Sequence, residues 1–78
     1  MEKDYEVFYV KAPLEEHAKL ASQLIRCQIP FEFDGSIRLK IEVWPMYEKS
    51  VLLKLAGMRR RCERNKLLFE LEHYPVKL

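Results

Sequence analysis

Apolar residues recur at every second position over residues 37–43, Ile-Arg-Leu-Lys-Ile-Glu-Val, and again at Leu67, Phe69 and Leu71 within residues 67–73. A period of two marks a strand with one face buried and the other wet. Residues 5–11, Tyr-Glu-Val-Phe-Tyr-Val-Lys, are rich in aromatic and β-branched types and predict a further strand. Phe8 and Val10 fall on one of its faces and Tyr5, Val7 and Tyr9 on the other. A strand apolar on both faces belongs in the middle of its sheet.

Between these runs the period lengthens. Pro13 opens a first helix, Glu15 and Glu16 suit its positive end, and Arg26 suits its last turn, with an end near Gln28. Leu14, Ala18, Ala21, Leu24 and Ile25 share one face, widened by Leu20, and that face is expected to cover the sheet with His17 at its border. A second helix is expected from about Pro45 to about Asn65. It buries Val51, Leu55, Met58 and Cys62, with Tyr47 one turn before them.

Residues 29–33 form the second strand, and Pro30, which has no N–H to give, places it at an edge. Asp34-Gly35 signals a hairpin. A two-residue loop would set Phe31 against Arg38. A three-residue loop over 33–35 or 34–36 sets it beside Ile37 or Leu39 instead, and parity therefore favours three. The third strand buries Ile37, Leu39, Ile41 and Val43, exposes Arg38, Lys40, Glu42 and Trp44, and stops at Pro45. The fourth buries Leu67, Phe69 and Leu71, and the stretch from Tyr74 to Leu78 carries no assignment.

Strand, helix, hairpin, helix, strand is the order of the ferredoxin-like α+β sandwich. That fold predicts an antiparallel sheet in the order 4-1-3-2 with both helices on one face. It puts the two-sided first strand inside and the proline-bearing second strand at an edge. Residues 1–78 read as a single domain, with 49% hydrophobic residues to build its core. A chain of this size buries only roughly 60–65% of its unfolded surface.

Fourteen basic residues against twelve acidic ones leave a net charge of +2, too balanced to signal nucleic-acid binding in bulk. The charge is uneven, however: Arg59, Arg60, Arg61, Arg64 and Lys66 are offset locally by Glu63 alone. Cys27 and Cys62 have neither metal-ligand spacing nor the numbers of a disulfide framework, and the N-terminal residues do not form a secretory leader. No apolar run approaches membrane length. A cytoplasmic protein with reduced thiols is expected.

Catalysis is not expected. Acyl-phosphate-cleaving enzymes of this fold place a glycine and an arginine in the loop after the first strand, where this chain has Lys11-Ala-Pro-Leu-Glu-Glu16. Copper carriers of the fold have Cys-x-x-Cys there, also absent. His17 and His73 are expected at opposite ends of the sheet, as are Cys27 and Cys62, so neither metal nor cofactor is expected. RNA-recognition motifs share the element order and stack bases on the open sheet face. Here that face is expected to carry Glu32, Asp34, Arg38, Lys40, Glu42, Glu70 and Glu72, a net −3, with Tyr9 or Phe8, Tyr74 and Trp44 as its aromatics. Phosphates would meet repulsion.

The outer side of the second helix remains. Leu53, Gly57, Arg60 and Arg64 gather opposite its buried stripe, beside Arg61. A leucine ringed by arginines is the composition of a protein-binding patch. The free edge of the second or fourth strand adds a place for a partner strand or a homodimer. The expected function is a small non-catalytic interaction module, an adaptor or inhibitor docking on a larger protein complex, a class that includes phage-encoded inhibitors of host defence enzymes. Two alternatives are a nucleic-acid accessory protein using Arg59, Arg60, Arg61, Arg64 and Lys66, and a small-ligand sensor acting as a dimer.

Overall fold

The computed structural model describes residues 4–35 and 38–76. Its elements are β1 (Tyr5–Lys11), α1 (Leu14–Arg26), β2 (Phe31–Phe33), β3 (Arg38–Val43), a 3-10 turn (Pro45–Tyr47), α2 (Glu48–Arg64) and β4 (Glu70–Val76). The strands form one antiparallel sheet in the order β2-β3-β1-β4, the ferredoxin-like arrangement. β1 is central and β2 lies at an edge. Phe8, Val10, Leu39, Ile41 and Val43 point from the sheet into one core with Leu20, Leu24, Val51, Leu55, Met58 and Cys62 of the helices.

The hairpin keeps the expected parity and shifts by two residues. Phe31 pairs with Ile41 and Phe33 with Leu39, and the Asp34 N–H donates to the Arg38 carbonyl at 2.8 Å. Both phenylalanines therefore face the helices. Ile37, expected in the core, lies outside the described residues. β4 starts and ends three residues later than the alternation suggests, so Tyr74–Val76 belongs to the strand. Leu67 is exposed in the connection before it, and Phe69 and Leu71 are half-buried. His73 consequently sits mid-strand opposite Phe8, not at a strand end, and its ring stacks on that of Phe8 with centroids 5.3 Å apart.

The largest correction concerns α1. Its buried residues are Glu16, His17, Leu20 and Leu24, whereas Leu14 and Ile25 are 63% and 65% exposed. Ala18 is also exposed, and Ala21 is half-buried. The helix is rolled away from its most apolar row, and both inward side chains find a hydrogen-bond partner there, although His17 Nδ1 stays buried without one. The His17 Nε2–H donates to the Val10 carbonyl at 3.0 Å. Glu16 Oε1 accepts from Arg61 Nη2 at 2.8 Å and from Arg61 Nε at 3.1 Å. Buried polar groups cost little once bonded.

Both helices end in a Schellman motif without glycine. After α1, Gln28 has φ 58° and the Ile29 N–H reaches the Leu24 carbonyl at 2.9 Å. After α2, Lys66 has φ 57° and the Leu67 N–H reaches Cys62 at 2.8 Å. Left-handed backbone costs a residue with a side chain about 1–2 kcal/mol, and capping the last carbonyls offsets it. Buried Ile29 adds an apolar clasp to the first stop.

Candidate protein-interaction surface

α2 presents one buried face and three flanks. Val51, Leu55, Met58 and Cys62 are buried against the sheet, as the helical period requires. Toward α1 lies Arg61, whose guanidinium is held by Glu16. Glu16 also lies 3.7 Å from Lys19. Because Glu16 is near the start of α1 and Arg61 near the end of α2, the helices run antiparallel. That leaves Cys27 and Cys62 at opposite ends of the layer, both free. The hydrogen bonds from Arg61 hold the Glu16 carboxyl below its usual range against the opposing effect of burial. Burial, assisted by Glu16, pushes the Cys62 thiol above its usual range. Burial lowers the His17 pKa against the opposing effect of its hydrogen bond to the Val10 carbonyl.

The outer flank carries Leu53, 65% exposed, half-buried Gly57, and exposed Arg60 and Arg64. The structure brings these four together and takes Arg61 away to Glu16. Arg59 pairs with Glu63 at 3.4 Å. Arg60, Arg64 and Lys66 have no carboxylate in ion-pair range among the described residues. The five-cation cluster is thus three free cations. Gly57 sits mid-helix without a positive φ, and a Cβ built there would meet only Arg61 Nη1 at 3.9 Å. A mid-helix glycine costs roughly 0.5–1 kcal/mol relative to alanine, and neither backbone conformation nor crowding within the fold requires one here.

The flank toward β4 was missed from sequence. Leu52, Leu55, Ala56, Arg59, Arg60, Phe69 and Leu71 line a groove of about 340 Å³ between α2 and the sheet edge. Its signal was present: Val51-Leu-Leu53 and Leu67-Leu-Phe69 are apolar runs too broad for one stripe or one strand face to bury. Leu52 is 45% exposed as a result.

The open sheet face differs from this surface in charge. Tyr5 stacks on Trp44 at 4.6 Å, Tyr9 meets Tyr74 edge-on at 6.0 Å, and Arg38 lies over the Tyr9 ring at 4.0 Å. Phe8 points into the core instead. Three cations on this side pair with acids: Lys11 with Glu70, Lys40 with Glu32 and Arg38 with Asp34, at 3.9, 3.5 and 3.6 Å. Adding Lys11 to the expected set leaves five acids against three bases, so the face is net acidic. Its aromatics are occupied with one another and with Arg38. Trp44 also donates to Glu42 at 2.7 Å.

His17 bonds to the Val10 carbonyl and His73 stacks on Phe8, two residues apart along β1 and not at opposite ends of the sheet as expected, and the described residues contain no cluster of three or more metal-binding side chains. No helix among the described residues is long and apolar enough to cross a membrane. Comparison with protein-family models, with curated proteins and with solved structures returns no match for this chain.

Proposed function

We propose that this protein acts by binding another protein, as a non-catalytic adaptor or inhibitor, through the outer flank of α2. The observation that carries the reading is Gly57. It forgoes helix stability at a place with room for a side chain, directly between an exposed leucine and two arginines without acidic partners. Glycine there lets a partner approach the helix backbone closely, with Leu53 as the apolar anchor and Arg60 and Arg64 as charged contacts.

The test is affinity capture with wild-type protein beside the Arg60→Glu/Arg64→Glu and Gly57→Trp variants. Each substituted position is on the solvent side, so both variants should keep the wild-type circular dichroism. A protein retained by wild type and lost by both variants supports the reading. Equal retention by all three refutes it.

The three free cations Arg60, Arg64 and Lys66 favour a second reading, binding of a nucleic acid. Salt separates the two. Phosphate contacts weaken steeply between 50 and 200 mM salt, roughly as the 0.9 power of salt concentration per contact, while a complex centred on Leu53 changes far less.

A further inference from the structure

The two edges of the sheet are unequal. β2 has three residues, follows Pro30 and lies at the hairpin. β4 has seven, pairs with β1 on one side, and has no strand on the other among the described residues. A free edge carries a row of unpaired N–H and C=O groups, and proteins ordinarily cover or blunt it. Here the helix side of that edge opens directly into the groove lined by Leu52, Ala56, Phe69 and Leu71. On the other side of the same strand lie Glu70, Glu72 and Tyr74.

We infer that β4 receives an extended segment of another protein as a fifth strand. The inference rests on the protein-binding reading only in taking a protein as partner, and its groove shares Arg60 alone with the outer flank of α2. The geometry dictates the occupant's pattern. Alternate side chains of an added strand point to opposite sides. One row must be apolar, to enter the groove beside Leu52 and Leu71. The other row faces Glu70 and Glu72 and is basic. Of these acids, Glu70 has a loose pairing with Lys11 at 3.9 Å, and Glu72 has no cation in ion-pair range among the described residues. A second copy of this chain is a poorer occupant. Paired through its own β4, it would add Glu70 and Glu72 to an already acidic side.

The test uses a synthetic nine-residue peptide with valine or leucine at alternate positions and lysine between them. Amide shifts and hydrogen exchange are followed on the intact protein. Binding should perturb residues 70–76 together with Leu52, Ala56 and Arg59, and slow exchange of outward β4 amides at least tenfold. Replacing the lysines by glutamates should weaken binding at least tenfold. Ala56→Glu, at an exposed position in the groove, should abolish binding without unfolding the helix. Leu53→Asp on the outer flank should leave peptide binding unchanged, so failure here and failure of the α2 outer-flank reading are distinguishable. Unaltered β4 exchange, equal affinity for the glutamate peptide, or undiminished binding by Ala56→Glu would overturn the inference. So would a dimer in sedimentation whose protected amides are those of β4.

Discussion

α2 meets the sheet with Val51, Leu55, Met58 and Cys62, all apolar, whereas α1 meets its surroundings with Leu20, Leu24, an imidazole and a carboxylate. The two helices also leave different things in water. α1 exposes Leu14, Ala18 and Ile25, and α2 exposes Leu52 and Leu53 together with its free arginines. The difference teaches that a helix orients by its whole set of contacts, not by its apolar row alone. For α2 the apolar stripe and the partners of its polar groups agree. For α1 they compete, and the interhelical pair with Arg61 and the bond to the Val10 carbonyl coincide with the phase observed.

Core truncation provides the sharpest break between the two helices. Leu55→Ala or Met58→Ala in α2, and Leu24→Ala in α1, should each lose about 2–5 kcal/mol. Leu14→Ala and Ile25→Ala should stay within about 0.5 kcal/mol. Urea titration of the five variants checks this, and an Ile25→Ala loss equal to that of Leu24→Ala would mean the observed roll of α1 is wrong.

Removing the seam between the helices comes next. Arg61→Ala leaves the Glu16 carboxylate buried without its main donor and should cost about 1–3 kcal/mol. Combining it with Glu16→Leu should recover most of that loss, because removing both polar partners leaves nothing unsatisfied. A double-mutant cycle reads the coupling directly.

Acid should expose the same asymmetry. His17 has a lowered folded pKa, so below its unfolded value near 6.5 the unfolded chain takes up a proton that the folded chain refuses. Its contribution is intact above that pH and is lost progressively as pH falls. Glu16 is also lowered, so its contribution is present above the unfolded value near 4.5 and disappears below it. Each group adds a slope of at most about 1.4 kcal/mol per pH unit. Thermal melts between pH 7.5 and 4 should show the first loss vanish in His17→Phe while the second persists. If His17→Phe retains the loss below pH 6.5, another group causes it.

The smallest effects lie on the backbone. Gly57→Ala should stabilise the protein by roughly 0.5–1 kcal/mol, and Lys66→Gly by up to about 1 kcal/mol through relief of its left-handed φ. A Gly57→Ala variant that loses stability would remove the argument that this glycine serves something outside the fold.

The local period of the chain determined the element order, the central place of Tyr5–Lys11, the edge place of Phe31–Phe33 and the buried stripe of α2. Each depends on side chains within one or two turns or along one strand. Which face of α1 turns inward was decided by Arg61 and by the Val10 carbonyl, 45 and 7 residues from the groups they satisfy. Leu53, Gly57, Arg60 and Arg64 were legible as one flank because they are neighbours on a single helix. The loss of Arg61 from that flank, and the groove joining Leu52 and Ala56 to Phe69 and Leu71, arise only when elements distant in sequence pack. Periodicity records what a residue prefers; the partner that makes a buried charge tolerable, or leaves a leucine in water, is supplied by another part of the chain.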